Sequence, residues 1–335
     1  MDYADYMELL LKEAELYSEL EIKPESLYFG GGTPSLIKPT LYESFLSNLG
    51  GLFDLSSLRE VSIECNPEDY KLEDFQALRS IGFNRVSFGV QSLQEKGLKA
   101  LGRLHSVETS IKAIEQAYKA GFDNINIDLI FGYPSQSLED LKEELKLALN
   151  LPIRHISCYL LTPYEDTRFG ELYKRGELHL PSEELIADMY ELIADTLESA
   201  GFVHYEVSNF ALEGYECRHN IIYWSHEDFL GFGVSAWSFL RPVRFGNTKN
   251  LKAYRQSLLE GKKPIAYKEE LKGKDLLYDY LFVALRTKWG VPEGLIEPPE
   301  ELEDLFERRA GRLRLTRKGF LLINEVLLRL KHRIY

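Results

Sequence analysis

"AGFDNINIDLIFGYPSQSLEDLKEELKLALNLPIRHISCYLLT", residues 120–162, contains one complete step of a repeating architecture. Glycine past a helix-like stretch, at Ala120-Gly121-Phe122, is the usual left-handed helix end, and the β-prone run Ile125 to Ile130 follows it. Ser137 and Asp140 then make a capping box. Leu138, Leu141, Leu145 and Leu149 recur at steps of three and four, the period of a helix with one apolar face. His155 to Leu161 reads as the next strand. Strand, crossover helix and strand in that order predict a parallel pair with the helix packed outside the sheet.

The same punctuation recurs at Ile81-Gly82-Phe83 and Ala200-Gly201-Phe202. Further strand-like runs are Leu27 to Phe29, Val61 to Ile63 and Arg85 to Phe88, and "YEVSNF" at 205–210 reads as another. A polar or acidic residue stands at or near the end of each of the five main runs: Thr33, Glu64, Gln91, Asp128 and Thr162. An open doubly wound sheet concentrates its ligand at one switch point, whereas a barrel gathers side chains from successive strand ends at one mouth. Five contributing ends favour the barrel, although each one alone also fits a solvated strand end. After Trp237 the pattern changes. Residues 241–262 read as a connecting segment, and 263–335 as a small accessory domain of helix and wing character, with helices over Leu276 to Lys288 and Phe320 to Leu330 around the strand-like "RLRLT".

Composition narrows the function. The chain has 335 residues, 44% hydrophobic and 28% charged, enough for a sizeable core. Its 53 acidic and 40 basic side chains give a formal charge of −13, which argues against a nucleic-acid partner. No apolar stretch is long enough to span a bilayer and the acidic start is unlike a secretory signal, so the expected location is cytoplasmic. Cys65, Cys158 and Cys217 are odd in number and far apart, consistent with reduced thiols.

Gly30, Gly31 and Gly32 follow the first run, in "LYFGGGTPSLI" at 27–37. No Lys-Ser or Lys-Thr follows and the G-x-G-x-x-G spacing is missing, so this is neither a phosphate loop nor a dinucleotide fingerprint. A glycine turn after a strand can expose backbone polar groups to a small ligand; a plain tight turn is the commoner reason for one. Taken with Glu64, Gln91, Arg103 and Asp128, the turn suits a ligand that combines amine, hydroxyl and carboxylate groups. Several motifs now agree: "FGGGTPS", "IECNPE", "GFNRVSFGVQS", "LGRLH", "NINIDLIFGYPSQ" and "GFGVSAWSF". Their order and spacing resemble the radical S-adenosylmethionine family that contains oxygen-independent coproporphyrinogen III oxidase and the heme chaperone group, HemW.

The resemblance implies a partial (β/α)6 TIM-like barrel with a small C-terminal, winged-helix-like domain, the barrel part covering residues 1–240. It implies that Gly31, Gly32, Thr33 and Glu64 hold S-adenosylmethionine, with Thr162 and Trp237 lining that site. Gln91, Arg103 and Asp128 match positions associated with a second S-adenosylmethionine in the oxidase. The family's C-x3-C-x2-C motif, which binds a 4Fe-4S cluster, is absent, and with it the first barrel strand. A truncated or late-assigned start is the expectation; true loss of the cluster is the other reading. "CRHNIIYW", 217–224, is similar to the H-N-x-x-Y-W signature of the heme chaperone group, implying heme as cargo and heme-accepting proteins as partners. Read from residues alone, His219 is either a hydrogen-bonded core histidine or an axial ligand beside Tyr223 and Trp224, with Cys217 and His226 as weaker ligand candidates. Three functions stay open: a heme carrier, an enzyme like the oxidase, and a degenerate barrel with neither activity.

Overall fold

The computed structural model describes residues 2–334. In chain order its first part runs α1 (Tyr3–Glu15), β1 (Ser26–Phe29), α2 (Pro39–Leu49), β2 (Glu60–Cys65), α3 (Leu72–Ser80), β3 (Arg85–Gln91), α4 (Glu95–Ala100), α5 (Val107–Lys119) and β4 (Asn124–Phe131). It continues α6 (Leu138–Ala148), β5 (His155–Leu160), α7 (Arg168–Lys174), α8 (Glu183–Ser199), β6 (Val203–Glu206), β7 (Asn209–Ala211) and α9 (Arg218–Trp224). The last part holds β8 (Trp237–Leu240), β9 (Val243–Asn247), α10 (Leu251–Leu259), β10 (Ile265–Glu270), α11 (Lys274–Ala284), β11 (Val291–Pro292), β12 (Phe306–Arg309), β13 (Arg312–Leu315), α12 (Arg317–Leu321) and α13 (Ile323–Ile334).

Seven strands make one curled half-barrel sheet in the order β1-β2-β3-β4-β5-β7-β6, with β1 at one end. From β2 to β5 the neighbours are parallel, and β7 turns antiparallel to β5. The repeated Gly-Phe punctuation has one physical cause. Gly82, Gly121 and Gly201 take φ of +108, +94 and +89°, and the amide of the phenylalanine after each donates to a carbonyl five residues back, at Leu78, Ala117 and Leu197. These are Schellman ends, which stop α3, α5 and α8 and bury Phe83, Phe122 and Phe202. Phe75 of α3 is fully buried edge-on to Tyr70, Phe88 and Phe122, so helix, strand and helix end share one aromatic core. The capping box expected at Ser137 and Asp140 starts α6.

Two expectations need correction. "YEVSNF" is not one strand: the Glu206 carboxylate accepts from the Ser208 amide at 2.9 Å and from Asn209 Nδ2 at 2.7 Å, turning the chain between β6 and β7. The helix expected over Phe320 to Leu330 is divided into α12 and α13. Beyond the half-barrel, β10-β9-β8 and β11-β13-β12 form two small antiparallel sheets. The first spans 237–270, so the segment read as connecting, 241–262, supplies both β9 and α10.

The chain groups into two compact units assembled from interleaved segments. One comprises Met1–Tyr28, Ile37–Glu60 and Cys217–Tyr335; the other comprises Phe29–Leu36 and Val61–Glu216. In the first, Leu9 of α1 packs with Tyr254 and Leu258 of α10. Glu13 of α1 is fully buried there and accepts hydrogen bonds from the Gly233 amide (2.7 Å), Asn247 Nδ2 (2.5 Å) and the Tyr254 hydroxyl (2.6 Å). Three donors satisfy a carboxylate that burial otherwise penalises, and burial raises its pKa. Gly233 has φ +113°, and a Cβ there would stand 2.8 Å from the Tyr6 hydroxyl, so only glycine fits in this part of "GFGVSAW".

Candidate functional site

Within the second unit, the strand ends bring most of the expected residues together. Gly31 and Gly32 have φ of +78 and +61°, left-handed values that select glycine, and open space surrounds both. The Gly31 amide donates to Glu64 Oε2 at 3.1 Å, tying the loop to the end of β2. Ser35, from the Thr-Pro-Ser turn, donates to Asp69 Oδ2 at 2.5 Å and accepts from the Asn66 amide at 3.1 Å. Asn66 Oδ1 in turn accepts from Arg103 Nη2 at 3.3 Å. Asp128 accepts from Ser87 Oγ (3.2 Å) and Asn126 Nδ2 (2.9 Å); burial raises its carboxyl above the ordinary range, and the Glu64 charge adds to the effect. Glu64 therefore both contacts the loop and faces Asp128 electrostatically.

Gln91 holds the most constrained backbone in this group. Its φ is +67°, and the Ser92 amide donates across it to the Val90 carbonyl at 2.9 Å, closing a γ-turn of the strained hand. His105 Nε2 lies 3.1 Å from the same carbonyl. On the far side Glu144, buried in α6, accepts from Ser92 Oγ and the Leu93 amide, each at 2.5 Å. Burial pushes the Glu144 pKa up to about 7. The turn is thus held on both flanks. The Gln91 side chain folds back over Gly89, where a Cβ would stand 3.0 Å from Gln91 Nε2 and 3.8 Å from Arg103 Nη2. Gly89 was missed in the sequence, although a glycine inside a strand signals close approach.

The inner row of the strands is polar, which was also missed. Register aligns Glu64, Ser87, Asn126 and His155 across β2 to β5, and Asp128, Ser157 and Asn209 across β4, β5 and β7. His155 Nδ1 lies 2.5 Å from Asn126 Oδ1 and Nε2 lies 2.6 Å from the Tyr205 hydroxyl, while Ser157 Oγ donates to Asn209 Oδ1 at 3.0 Å. Burial, reinforced by the Arg85 charge, drives the His155 pKa well below its ordinary value, so the imidazole is neutral. Barrels usually fill this space with apolar layers. Here a hydrogen-bonded lattice runs up to Asp128.

Thr162 is exposed and its hydroxyl donates to its own Leu160 carbonyl at 3.3 Å. Trp237 and His219 belong to the other unit. Trp237 is half exposed, tilted against Tyr267 with ring centroids 5.4 Å apart, and its ring lies 3.2 Å from where a Cβ on Gly246 would be.

In that first unit, α9 carries the "HNIIYW" motif and lines a cleft of about 690 Å³. Its walls include Leu20, Ile22, Leu27, Phe53, Ile222 and Phe229, and His219 stands among them. The His219 amide donates to Glu60 Oε1 at 3.1 Å. Its ring stacks on Tyr28 (4.8 Å, 13°) and meets the Tyr223 ring edge-on at 4.6 Å. Nδ1 lies 2.9 Å from Ser26 Oγ and Nε2 lies 2.5 Å from the Tyr223 hydroxyl. Burial lowers the His219 pKa to about 4, leaving a neutral imidazole at pH 7. Of the weaker candidates, Cys217 donates its thiol to Glu60 Oε1 at 3.6 Å, and His226 Nε2 lies 2.7 Å from Asp279 Oδ2.

The cysteines do not fit a 4Fe-4S cluster. Cys65, Cys158 and Cys217 are each buried on a different element, and burial raises the thiol pKa of Cys65 and Cys158, opposing the thiolate a cluster needs. Among the described residues no group of three His, Cys, Asp or Glu side chains is placed to hold a metal ion, and no helix is long and apolar enough to cross a membrane.

Known proteins resemble this chain over most of its length. The sequence signature of the Radical SAM superfamily matches residues 2–148. The chain is 36% identical to the heme chaperone HemW of Lactococcus lactis over 96% of this chain and 88% of that protein. It is 34% identical to the heme chaperone HemW of Bacillus subtilis, over 90% and 84%. The structure of coproporphyrinogen III oxidase (HemN) from Escherichia coli, a radical SAM enzyme, aligns with a TM-score of 0.80 over 97% of this chain and 82% of that one. At 23% identity it speaks for the fold alone.

Proposed function

Because the chain belongs to the radical SAM family, in the group of the heme chaperone HemW, we propose that it binds heme as cargo and passes it to heme-accepting proteins. The observation that carries this reading is the 36% identity to a heme chaperone over 96% of the chain. The cleft lined by His219 suits it: its volume is in the range of small-molecule sites, about 300–1,000 Å³, and its walls are mostly apolar.

We assign S-adenosylmethionine to the strand-end site. Gly31, Gly32 and Thr33 would present backbone to its amino-acid end, with Glu64 fixing the loop. Arg103 is suited to grip a carboxylate, and Asp128 and Gln91 to meet ammonium or hydroxyl groups. Thr162, in the same unit, completes the assignment. A family 4Fe-4S cluster would supply the electron that cleaves S-adenosylmethionine, and the cysteines of this chain do not provide its ligands, so no radical step is assigned. Heme carriage in the cytoplasm, with heme-accepting proteins as partners and without nucleic acid, is the function that follows.

Hemin titration of the full chain, followed by gel filtration, tests the reading. One hemin per chain co-eluting with a shifted Soret band is expected. A hemin spectrum unchanged by the protein would overturn it.

A further inference from the structure

The segment that joins β3 to α5 leaves the strand-end site and returns to it. Gln91 stands at its start and Arg103 near its end, and the two meet over Gly89, where a Cβ would stand 3.0 Å from Gln91 Nε2 and 3.8 Å from Arg103 Nη2. Arg103 Nη2 also donates to the Gly89 carbonyl at 3.4 Å. Helix α6 fixes this excursion. Glu144 Oε1 accepts from Ser92 Oγ and from the Leu93 amide, each at 2.5 Å, so one carboxylate oxygen holds the two residues after Gln91. One turn earlier on α6, the Asp140 carbonyl accepts from Gln94 Nε2 at 2.7 Å and the Asp140 carboxylate pairs with Lys96. Gly97 then packs so closely that a Cβ on it would stand 2.2 Å from Ser92 Oγ and 2.8 Å from the Tyr133 hydroxyl. Helix α4 is thereby seated, and its Leu98 carbonyl accepts the Arg103 amide at 2.9 Å. All of these residues belong to the second unit.

Glu144 is the member of this clamp whose charge can change. It is buried, and its partners are neutral donors: Ser92, Leu93 and, at 3.5 Å from Oε2, Gln136 Nε2. An ionised carboxylate holds such donors about twice as strongly as a neutral acid does. With Oε1 taken by two donors, a proton enters at Oε2, against the Gln136 amide group. Burial places that titration at about 7. The ionisable groups around it are few. Asp140 on the same helix adds to the rise and is itself paired with Lys96 of α4. Tyr133, after β4, and Cys158, on β5, have their pKa values raised by burial and then by the Glu144 charge, so both stay neutral. Of the titratable side chains on α8, which packs on α6, only Tyr190 is buried, and its hydroxyl donates to the Val207 carbonyl at 2.8 Å.

Resting on the assignment of S-adenosylmethionine to the strand-end site, we propose that Glu144 is a positioning residue of that site. When ionised, its carboxylate holds Ser92 and Leu93 so that Gln91 and Arg103 face the ligand together; when it takes up a proton, it loosens them and binding weakens. The φ of +67° at Gln91 is a strained value that needs such a hold. Glu144 itself does not touch the ligand.

The test is calorimetric titration of the full chain with S-adenosylmethionine at pH 6 and pH 8, in wild type, Glu144→Gln and Ser92→Ala, with circular dichroism as the control for folding. Glutamine has the shape of the protonated acid and cannot ionise. The readout is the ratio of wild-type to variant affinity at each pH, in which titration of the ligand, of Asp128 and of His105 cancels. For Glu144→Gln this ratio should be close to one at pH 6 and rise to roughly threefold to tenfold at pH 8. The same ratio at both pH values would make Glu144 a purely structural residue and overturn the proposal. Ser92→Ala keeps the acid and removes one tether, so it should bind roughly threefold more weakly than wild type at pH 8. Affinity equal to wild type there would also overturn the proposal, and this variant decides the matter if Glu144→Gln does not fold. Failure of the wild type to bind S-adenosylmethionine at either pH would instead remove the strand-end assignment, and the role of Glu144 with it.

Discussion

The strand-end site and the His219 cleft are built by opposite methods. The first draws its side chains from the ends of β1 to β4 and the segments that follow them, so each contributor occupies the same place in a repeating unit. The second is assembled from residues 20–27, 49–53 and 218–240, which share no repeat. The first is stabilised by polar cross-links, from Gly31 to Glu64 and from Asn66 to Asp69 and Arg103. The second relies on apolar walls around one neutral histidine. A site of cross-linked polar groups suits a ligand recognised atom by atom, whereas a mostly apolar cleft with one neutral imidazole suits the releasable cargo of the proposed function.

Perturbing each unit separately sharpens the contrast. The largest effect should come from Glu13→Leu, which strands the donors of Gly233, Asn247 and Tyr254. Buried unsatisfied donors cost about 1–3 kcal/mol each, so a stability loss of about 3 kcal/mol or more is expected in urea unfolding. A loss below about 1 kcal/mol would show that the loop does not depend on α1.

Glu144 gives the next effect, through pH. Its carboxyl titrates at about 7 when folded, against an ordinary 4.5, chiefly through burial, with Asp140 adding to the rise and Ser92 and Leu93 opposing it. The folded state therefore holds a proton that the unfolded chain loses. This contribution is fully present below pH 4.5 and is lost as pH rises through 7. It amounts to on the order of 3 kcal/mol. Melting curves at pH 5 and 8 should show a smaller pH-dependent fall for Glu144→Gln than for wild type. Parallel falls in the two proteins would place the titration elsewhere.

Glu64→Ala removes the partner of the Gly31 amide and should weaken S-adenosylmethionine binding about tenfold by calorimetry, leaving hemin uptake unchanged. Equal losses for both ligands would merge the two sites. Gly89→Ala should act least, roughly threefold on S-adenosylmethionine binding, because the Gln91 side chain must shift a few tenths of an ångström to admit the methyl group. Its melting temperature should be nearly unchanged.

What was readable from sequence follows the same division. The βα repeat was visible because Gly82, Gly121 and Gly201 mark helix ends locally, and strands such as Arg85 to Phe88 appear as short runs with β-branched and aromatic residues. Glu64, Gln91, Arg103 and Asp128 could be singled out because motif and strand end coincide. The polar lattice through Ser87, Asn126, His155 and Ser157 was hidden, because it exists only once register aligns residues far apart in sequence. The γ-turn at Gln91 is a backbone property that no side-chain pattern announces. The "HNIIYW" motif directed attention to His219, yet nothing in residues 20–27 marks them as its neighbours. Ser26 and Tyr28 reach the imidazole through tertiary packing alone.

The most direct measurement of two distinct sites is hemin uptake by the full chain in the presence of saturating S-adenosylmethionine. The account predicts one hemin per chain with or without S-adenosylmethionine, lost in His219→Ala and retained in Glu64→Ala. Competition between the two ligands, with S-adenosylmethionine displacing hemin, would contradict it.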